Sequence, residues 1–256
     1  MDDLQYDELE VRIGASSREA GEAAAADFAE AARAAIAARG DIAVILATGN
    51  SQLGFVEALG RRTDVPWDRI TVLHMDEYLG MREDHPASFR RWMRERIVEP
   101  LHPRRFEGLA GDAVPPAAEI ARYEALLRDL DPAICVMGIG ENGHLAFNDP
   151  PADFGAEEWV RIVELDEVSR QQQVGEGHFP SLADTPREAI SLTIPALLAP
   201  QRVIVVAPEA RKARAVKAAL EGPVSPAVPA SILRTQPQAR LYLDADSAAL
   251  LDRRQR

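Results

Sequence analysis

A single cysteine, Cys135, stands in a chain of 256 residues, so no intrachain disulfide can form and a reducing compartment is expected. It lies in an apolar run, which marks it as a core residue rather than a nucleophile. Positive charge is also scarce. Lys and Arg number 29 against 41 Asp and Glu, and the formal net charge of −12 argues against general binding to nucleic acid or to an anionic membrane. It leaves room for a local basic pocket that takes an anionic metabolite. No apolar run approaches the ~20 residues that span a bilayer. The acidic start, Met1-Asp-Asp-Leu-Gln-Tyr-Asp-Glu8, has neither the charged nor the apolar region of a secretion signal. The expectation is a cytoplasmic protein with no nucleic-acid and no membrane partner. Repeats, low-complexity linkers and breaks in composition are all missing, so residues 1–256 are read as one domain.

What is present alternates between two periods. Residues 4–13 (Leu4, Tyr6, Leu9, Val11, Ile13) read as a short strand, and Ser16 or Ser17 caps an Ala-rich helix over Arg18 to Arg39 that Gly40 stops. Asp41 to Ala47 is a continuous apolar run, as in a strand covered on both faces. Arg69 to Tyr78 reads as the next buried strand, and Arg90 to Ile97 as an amphipathic helix with its arginines in solvent. Residues 100–116 read as a loop, 117–130 as a helix, and Ala133 to Met137 as a third buried strand. Further strands fall over Val160 to Leu165, Ala189 to Thr193, Arg202 to Ala207 and Arg240 to Asp244, with a helix from Pro208 to Gly222 and a terminal helix from Ser247. The pattern calls for an α/β fold, a mainly parallel sheet with helices on both faces.

The chemistry-bearing residues sit where these strands end. Ala133 to Met137 opens into Gly138, Gly140 and Gly143, which allow tight turns or close backbone approach to a ligand, and then delivers His144, Asn148 and Asp149. A His followed by a carboxylate suits proton transfer, although a glycine-rich turn with a structural His gives the same letters. The spacing Gly138-x-Gly140-x-x-Gly143 also matches a dinucleotide fingerprint. Pro150 and Pro151 come too soon for the crossover helix that the fingerprint needs, since only about two turns fit before them. Thr48-Gly-Asn-Ser-Gln-Leu-Gly54 lies between a strand and a helix, where backbone N–H groups can hold an anion. No Gly-Lys-Ser/Thr closes it, and an ordinary capped turn is the competing reading. Asp76 and Glu77 end a buried strand, where open α/β sheets bind ligands, and strand alternation lets at most one of them face the site easily. Lys212 near a helix start is electrostatically misplaced unless an anion binds beside it. Residues 170–180, polar and glycine-containing, read either as a mobile lid or as a plain surface excursion.

Taken together these segments resemble the glucosamine-6-phosphate deaminases. Leu46 to Gly54 is similar to their sugar-phosphate loop, and Met75-Asp-Glu-Tyr78 with Glu83-Asp-His-Pro-Ala-Ser88 is similar to their Met-Asp-Glu-Tyr and Asp-His-Pro-x-Ser signatures. Gly138 to Pro150 resembles their Gly-x-Gly-x-x-Gly-His-x-Ala-Phe-Asn-Glu-Pro, and Arg211-Lys-Ala, Ala219-Leu-Glu-Gly222 and Ser231-Ile-Leu-Arg234 resemble later segments. The likeness covers most of residues 20–245, in order, and it is specific as a set.

The resemblance implies a Rossmann-like fold shared with 6-phosphogluconolactonases. It also implies aldose–ketose isomerisation with loss of ammonia from an amino-sugar phosphate, without metal, nucleotide or other cofactor. By position, Asp76 becomes the base, His144 the group that opens the ring, and Asp149 the support of His144, with Asn142 beside them. Thr48, Gly49, Asn50, Ser51 and Lys212 become the phosphate site, and Glu77, Gly140 and Gly143 further substrate contacts. The expected partner is a small sugar phosphate, with a homo-oligomer admitted. Three departures stand out: Asn142 replaces an Asp, Asp149 replaces a Glu, and no arginine marks the lid, where His178 or its neighbours fall instead. They keep two other readings in play, a lactonase of the sister family and a sugar-phosphate-binding protein without turnover.

Overall fold

A computed structural model describes residues 1–252. The chain opens with a hairpin, β1 (Asp2–Tyr6) and β2 (Leu9–Gly14), paired antiparallel. The alternation over residues 4–13 reads as one strand, but Asp7 turns the chain by adopting a left-handed φ of 51°, which Asp tolerates better than most residues. Helix α1 (Ser17–Arg39) begins where the Ser16 hydroxyl accepts from the Glu19 N–H, and it ends at Gly40, φ 85°. Its buried face, Ala20, Ala24, Ala25, Phe28, Ala29 and Ala32, is mostly small, so the helix lies close against the sheet.

Strand β3 (Ile42–Leu46) leads through a short 3-10 turn, Asn50–Gln52, into α2 (Leu53–Gly60). Next come β4 (Ile70–His74) and β5 (Asp76–Tyr78), then α3 (Phe89–Met93), which continues through a π turn at Arg94–Val98 into α4 (Glu99–Leu101). Strand β6 (Arg105–Glu107), helix α5 (Pro116–Leu130) and β7 (Ile134–Met137) complete the first half. The second half runs β8 (Val160–Glu164), α6 (Glu167–Gly175), β9 (Glu188–Leu192), α7 (Ile194–Leu198), β10 (Arg202–Val206), α8 (Ala213–Glu221) and β11 (Ala239–Asp244).

The main sheet has eight strands in the order β1-β2-β11-β10-β7-β3-β4-β6, parallel except for the β1–β2 hairpin. Alternate residues of each strand enter different cores. In β3, Ala43 and Ile45 face the side covered by α5, α7 and α8, whereas Ile42, Val44 and Leu46 face α1 and α2. Burial on both faces explains why the central strands are continuous apolar runs. A second sheet, β5-β9-β8, is antiparallel and stands over the carboxyl ends of the first.

Several expectations need correction. Residues 69–78 are two strands: the chain leaves the main sheet at Met75, and β5 pairs with β9, Asp76 opposite Ser191. Arg90 is buried rather than solvated, donating to the Met81 carbonyl and to Asp112 at 2.8 and 2.6 Å. The loop at 100–116 contains β6, held parallel to β4. The polar stretch at 170–180 belongs in part to α6, whose N-cap Asp166 accepts from the Ser169 N–H. From Ser247 the described residues form turns and not a helix. The rest of that expectation lies outside the described residues.

Candidate active site

Neighbouring strands β10, β7, β3 and β4 all release the chain at the same sheet edge. From β3 the chain steps outward to β4 and β6, then returns to β7 on the other flank of β3. The reversal opens a crevice between the loops after β3 and β7, the place where open α/β sheets bind ligands. The loops there are tied to one another. Gln52, 1% exposed, donates through Nε2 to Ser51 Oγ at 3.0 Å and to the Val206 carbonyl at 3.2 Å, joining the β3 loop to β10.

The cleft is walled by Thr48, Gly49 and Ser51 after β3, Asp76 after β4, Gly140 and His144 after β7, and Lys212 after β10. Gly49 has φ 98°, a conformation that a side chain resists, and it turns the loop into the α2 N-terminus. At Gly140 a Cβ would lie 2.3 Å from the His144 ring, so only glycine lets the imidazole pack there. No helix follows Gly143, which removes the dinucleotide reading.

Asp76 and Glu77 part company. Asp76 lines the cleft. Burial, and then the neighbouring charge of Glu77, push its carboxyl up to about 8. Glu77 faces the other way and is not part of the cleft wall. It accepts from Ser88 Oγ at 2.7 Å and from the N–H groups of Phe89, Arg90 and Tyr78 at 3.2, 3.0 and 3.0 Å, with Arg90 Nε 3.7 Å away. Its expected place among the substrate contacts is therefore corrected: Glu77 fastens the N-terminus of α3 beneath the site.

The His144 ring is held through Nδ1, which lies 3.1 Å from Asp149 Oδ1 and 2.8 Å from Ser169 Oγ. Burial pushes the Asp149 carboxyl up, but hydrogen bonds and charge from His144, and hydrogen bonds from Ser169 and Asn142, outweigh it and hold it at about 2. An ionised Asp149 only accepts. The Ser169 hydroxyl is spent on Asp149, so the remaining hydrogen sits on His144 Nδ1. In the neutral form of the ring this tautomer leaves Nε2 with its lone pair. Asn142 completes the cluster: its Oδ1 accepts from His144 N at 3.0 Å, and its Nδ2 donates to Asp149 and Asp166, each at 2.8 Å. Asn142 and Asp149 contact His144 and do not line the cleft.

Lys212, 2% exposed, lines the same cleft. No carboxylate among the described residues lies within ion-pair distance of its ammonium. Burial, then the charge of Arg211, push it down to about 8 against the pull of Glu176, Glu141 and Glu209. A buried cation without a counter-ion, beside a turn of backbone N–H groups, is an anion cradle. Asn50 is not part of the wall. Its Nδ2 donates instead to the Glu176 carbonyl at 3.4 Å. Gly143 likewise lies outside it, its carbonyl accepting from Ala230 N at 2.8 Å.

Four wall residues fall within residues 170–180: Gln172, Gln173, Glu176 and His178, from α6 and the turn after it. They cover the cleft. Phe179 anchors this cover edge-on to Tyr78, centroids 5.2 Å apart, while Tyr78 Oη donates to Gln173 Oε1 at 2.8 Å. Free space inside is about 70 Å³, within some 540 Å³ counted out to the mouth. Asp166 and Ser169, which fix the His144 cluster, are absent from the sequence reading. A capping pattern Asp166-x-x-Ser169 is the one local signal, and nothing in it points to a histidine 25 residues away.

The fold and the cleft define an α/β protein whose strand-end cleft gathers a carboxyl, an imidazole and a buried ammonium. The relatives narrow this. A family profile described as "Glucosamine-6-phosphate isomerases/6-phosphogluconolactonase" matches residues 15–242. The glucosamine-6-phosphate deaminase of Exiguobacterium sibiricum is 36% identical over 206 residues, 80% of this chain and 80% of its own. That of Streptococcus pneumoniae (strain Hungary19A-6) is 32% identical over 214 residues, 81% of this chain and 86% of its own. Among solved structures, a monomeric glucosamine-6-phosphate deaminase superposes with a TM-score of 0.85 at 29% identity, over 94% of this chain and 99% of that one. The 6-phosphogluconolactonase of Trypanosoma brucei, at 19% identity and a TM-score of 0.74, over 94% of this chain and 98% of that one, shares the fold. The chain belongs to the glucosamine-6-phosphate isomerase/6-phosphogluconolactonase family.

Proposed function

We propose that the protein is an enzyme that converts glucosamine 6-phosphate and water to fructose 6-phosphate and ammonia, acting as one catalytic unit in the cytoplasm. The observation that carries this reading is a single cleft walled by Asp76, His144, Lys212, Thr48, Gly49 and Ser51 together. The curated relatives named as deaminases support the same reaction.

The geometry supports the following steps. The phosphate lies against the Thr48–Ser51 turn and Lys212, where N–H, O–H and ammonium donors converge on a dianion. His144, its Nδ1 hydrogen fixed by Asp149 and Ser169, offers Nε2 to take the proton of the anomeric hydroxyl and deliver it to the ring oxygen as the C1–O5 bond breaks. Asp76, ionised, takes the proton from C2 and returns it to C1. The nitrogen gives up a proton and the former C1 carbonyl oxygen gains one as C2 becomes an imine carbon; water then adds at C2, and ammonia leaves as the C2 carbonyl forms. Asp76 sits on a strand end whose backbone is locked by pairing with Ser191, so the base is held on a rigid element. Neither Asn142 nor Asp149 removes a needed charge, because the carboxylates of Asp149 and Asp166 flank the Asn142 amide.

The test is a substrate panel on the purified protein that follows ammonia and ketose together, with 6-phosphogluconolactone as a comparison. Glucosamine 6-phosphate should yield both products in equal amounts. Lactone hydrolysis without ammonia would replace this reading with the lactonase one, and ligand-induced stabilisation without turnover of any substrate would replace it with a binding protein.

A further inference from the structure

The cover of the cleft carries a carboxylate where an anion is expected. Glu176, just past the end of α6, has a side chain only 5% exposed. Its Oε2 lies 3.7 Å from where a Cβ on Gly49 would sit, directly over the turn of the anion cradle. Its Oε1 accepts from Arg211 Nη1 at 2.8 Å and from Gln172 Nε2 at 2.9 Å. Gln172 is itself fixed, its Oε1 accepting from Glu141 N at 2.9 Å, so the carboxylate is aimed and not merely nearby. Arg211 is caged by Glu176, by Glu209 at 2.6 Å and by Glu141 at 3.5 Å, and it is the chain neighbour of Lys212. The backbone that presents both cations is locked as well. Glu209 adopts φ 83°, and its N–H donates to both oxygens of Asp244 at 3.1 Å.

We propose that Arg211 is a second phosphate-binding cation of this site, and that the Glu176 carboxylate holds its place, pairing with Arg211 over the Gly49 turn until a phosphate monoester displaces it. The proposal rests on the reading of the cleft as a sugar-phosphate site and names how that site is gated. A phosphate dianion at the Thr48–Ser51 turn cannot share the space with a buried carboxylate, since like charges in a low-dielectric cleft repel strongly. The two anions compete for one guanidinium, and Arg matches a phosphate better than a single carboxylate oxygen because its fork donates in parallel. The enclosed part of the cleft is about 70 Å³ and opens into some 540 Å³ counted out to the mouth, with the Glu176 carboxylate over the Gly49 turn. A phosphate seated at the Gly49 turn therefore requires the Glu176 carboxylate to withdraw. Binding is therefore weakened by the fraction of molecules in which Glu176 occupies the site.

The test is calorimetric titration of the full-length protein with inorganic phosphate and with glucosamine 6-phosphate, alongside an ammonia assay. Glu176→Gln keeps the shape of the side chain and removes its charge; Glu176→Ala removes both. Each should tighten both ligands about tenfold, the competing population being lost. Arg211→Gln should weaken both ligands about tenfold, and Glu176→Gln should gain nothing in that background. Unchanged or weaker binding in both Glu176 variants, or a full gain that survives Arg211→Gln, would overturn the proposal and leave the sugar-phosphate reading standing. A wild-type protein that binds neither ligand would sink both. One that binds glucosamine 6-phosphate but releases no ammonia would sink only the assigned reaction.

Discussion

Asp76 and Glu77 are adjacent in sequence and opposite in situation. Strand alternation sends one carboxyl into the cleft and the other beneath it, where hydrogen-bond donors surround it. Their replacements should therefore fail differently. Glu77→Ala would strand Arg90 and three backbone donors and should cost about 3–5 kcal/mol of stability, read as a lower midpoint in urea unfolding. Asp76 should instead govern the pH profile. It must lose its proton to act and is held at about 8, while Lys212 must keep its proton and is also held at about 8. The plot of kcat/KM should be a narrow bell, rising about tenfold per pH unit on the acid side as Asp76 ionises and falling on the alkaline side as Lys212 discharges. In Lys212→Met the alkaline limb should flatten and KM should rise. Ser169→Ala removes the hydroxyl that orients His144 and Asp149. It should lower kcat about tenfold with little change in KM, the split expected when ring orientation and not substrate contact is lost.

At the scale of elements, what could be read from the sequence and what could not divide along physical lines. Strands β3, β7 and β10 were legible because burial on both faces leaves a continuous apolar run, and their loops were legible because glycine and polar residues follow at once. The break between β4 and β5 was not, since the apolar pattern continues through Met75 while the pairing partner changes from β3 to β9. Helix α6 was hidden for another reason. Its Gln171, Gln172 and Gln173 have no apolar period, and the helix is fixed by an Asp166 cap and by contacts to Tyr78 and Arg211, distant in sequence. Thr48, Gly49, Ser51, Asp76 and His144, read at strand ends, and Lys212, read near a helix start, do meet in one cleft. Asp166, Ser169 and Glu176 were missed because they belong to the element that could not be read. Asp166→Ala should remove the α6 cap at a cost of about 1 kcal/mol, and limited proteolysis should then cut within 167–178 faster than in the wild type.

The whole molecule places its charge requirements at the sheet edge and its stability in the two cores. Phe28 stacks on Trp67 at 5.7 Å and meets Phe55 edge-on at 5.9 Å, so Phe28→Ala should cost about 3–5 kcal/mol without moving the pH profile. Stability and pH are linked at the cleft itself. The folded pKa of Asp76, about 8, lies above its ordinary 3.8, so its contribution is fully present below about pH 4 and is lost as pH rises to about 8. The folded pKa of Lys212, about 8, lies below its ordinary 10.5, so between those values the folded state holds fewer protons and stability rises with pH. No helix among the described residues is long and apolar enough to cross a membrane. The central claim is that a strand-end carboxyl moves a proton on a sugar whose phosphate is held in the same cleft. It is tested most directly by measuring, on Asp76→Asn, both the affinity for glucosamine 6-phosphate and the release of ammonia. The account predicts affinity within a few-fold of the wild type and ammonia release reduced by about 10²–10⁴; ammonia release at the wild-type rate would contradict it.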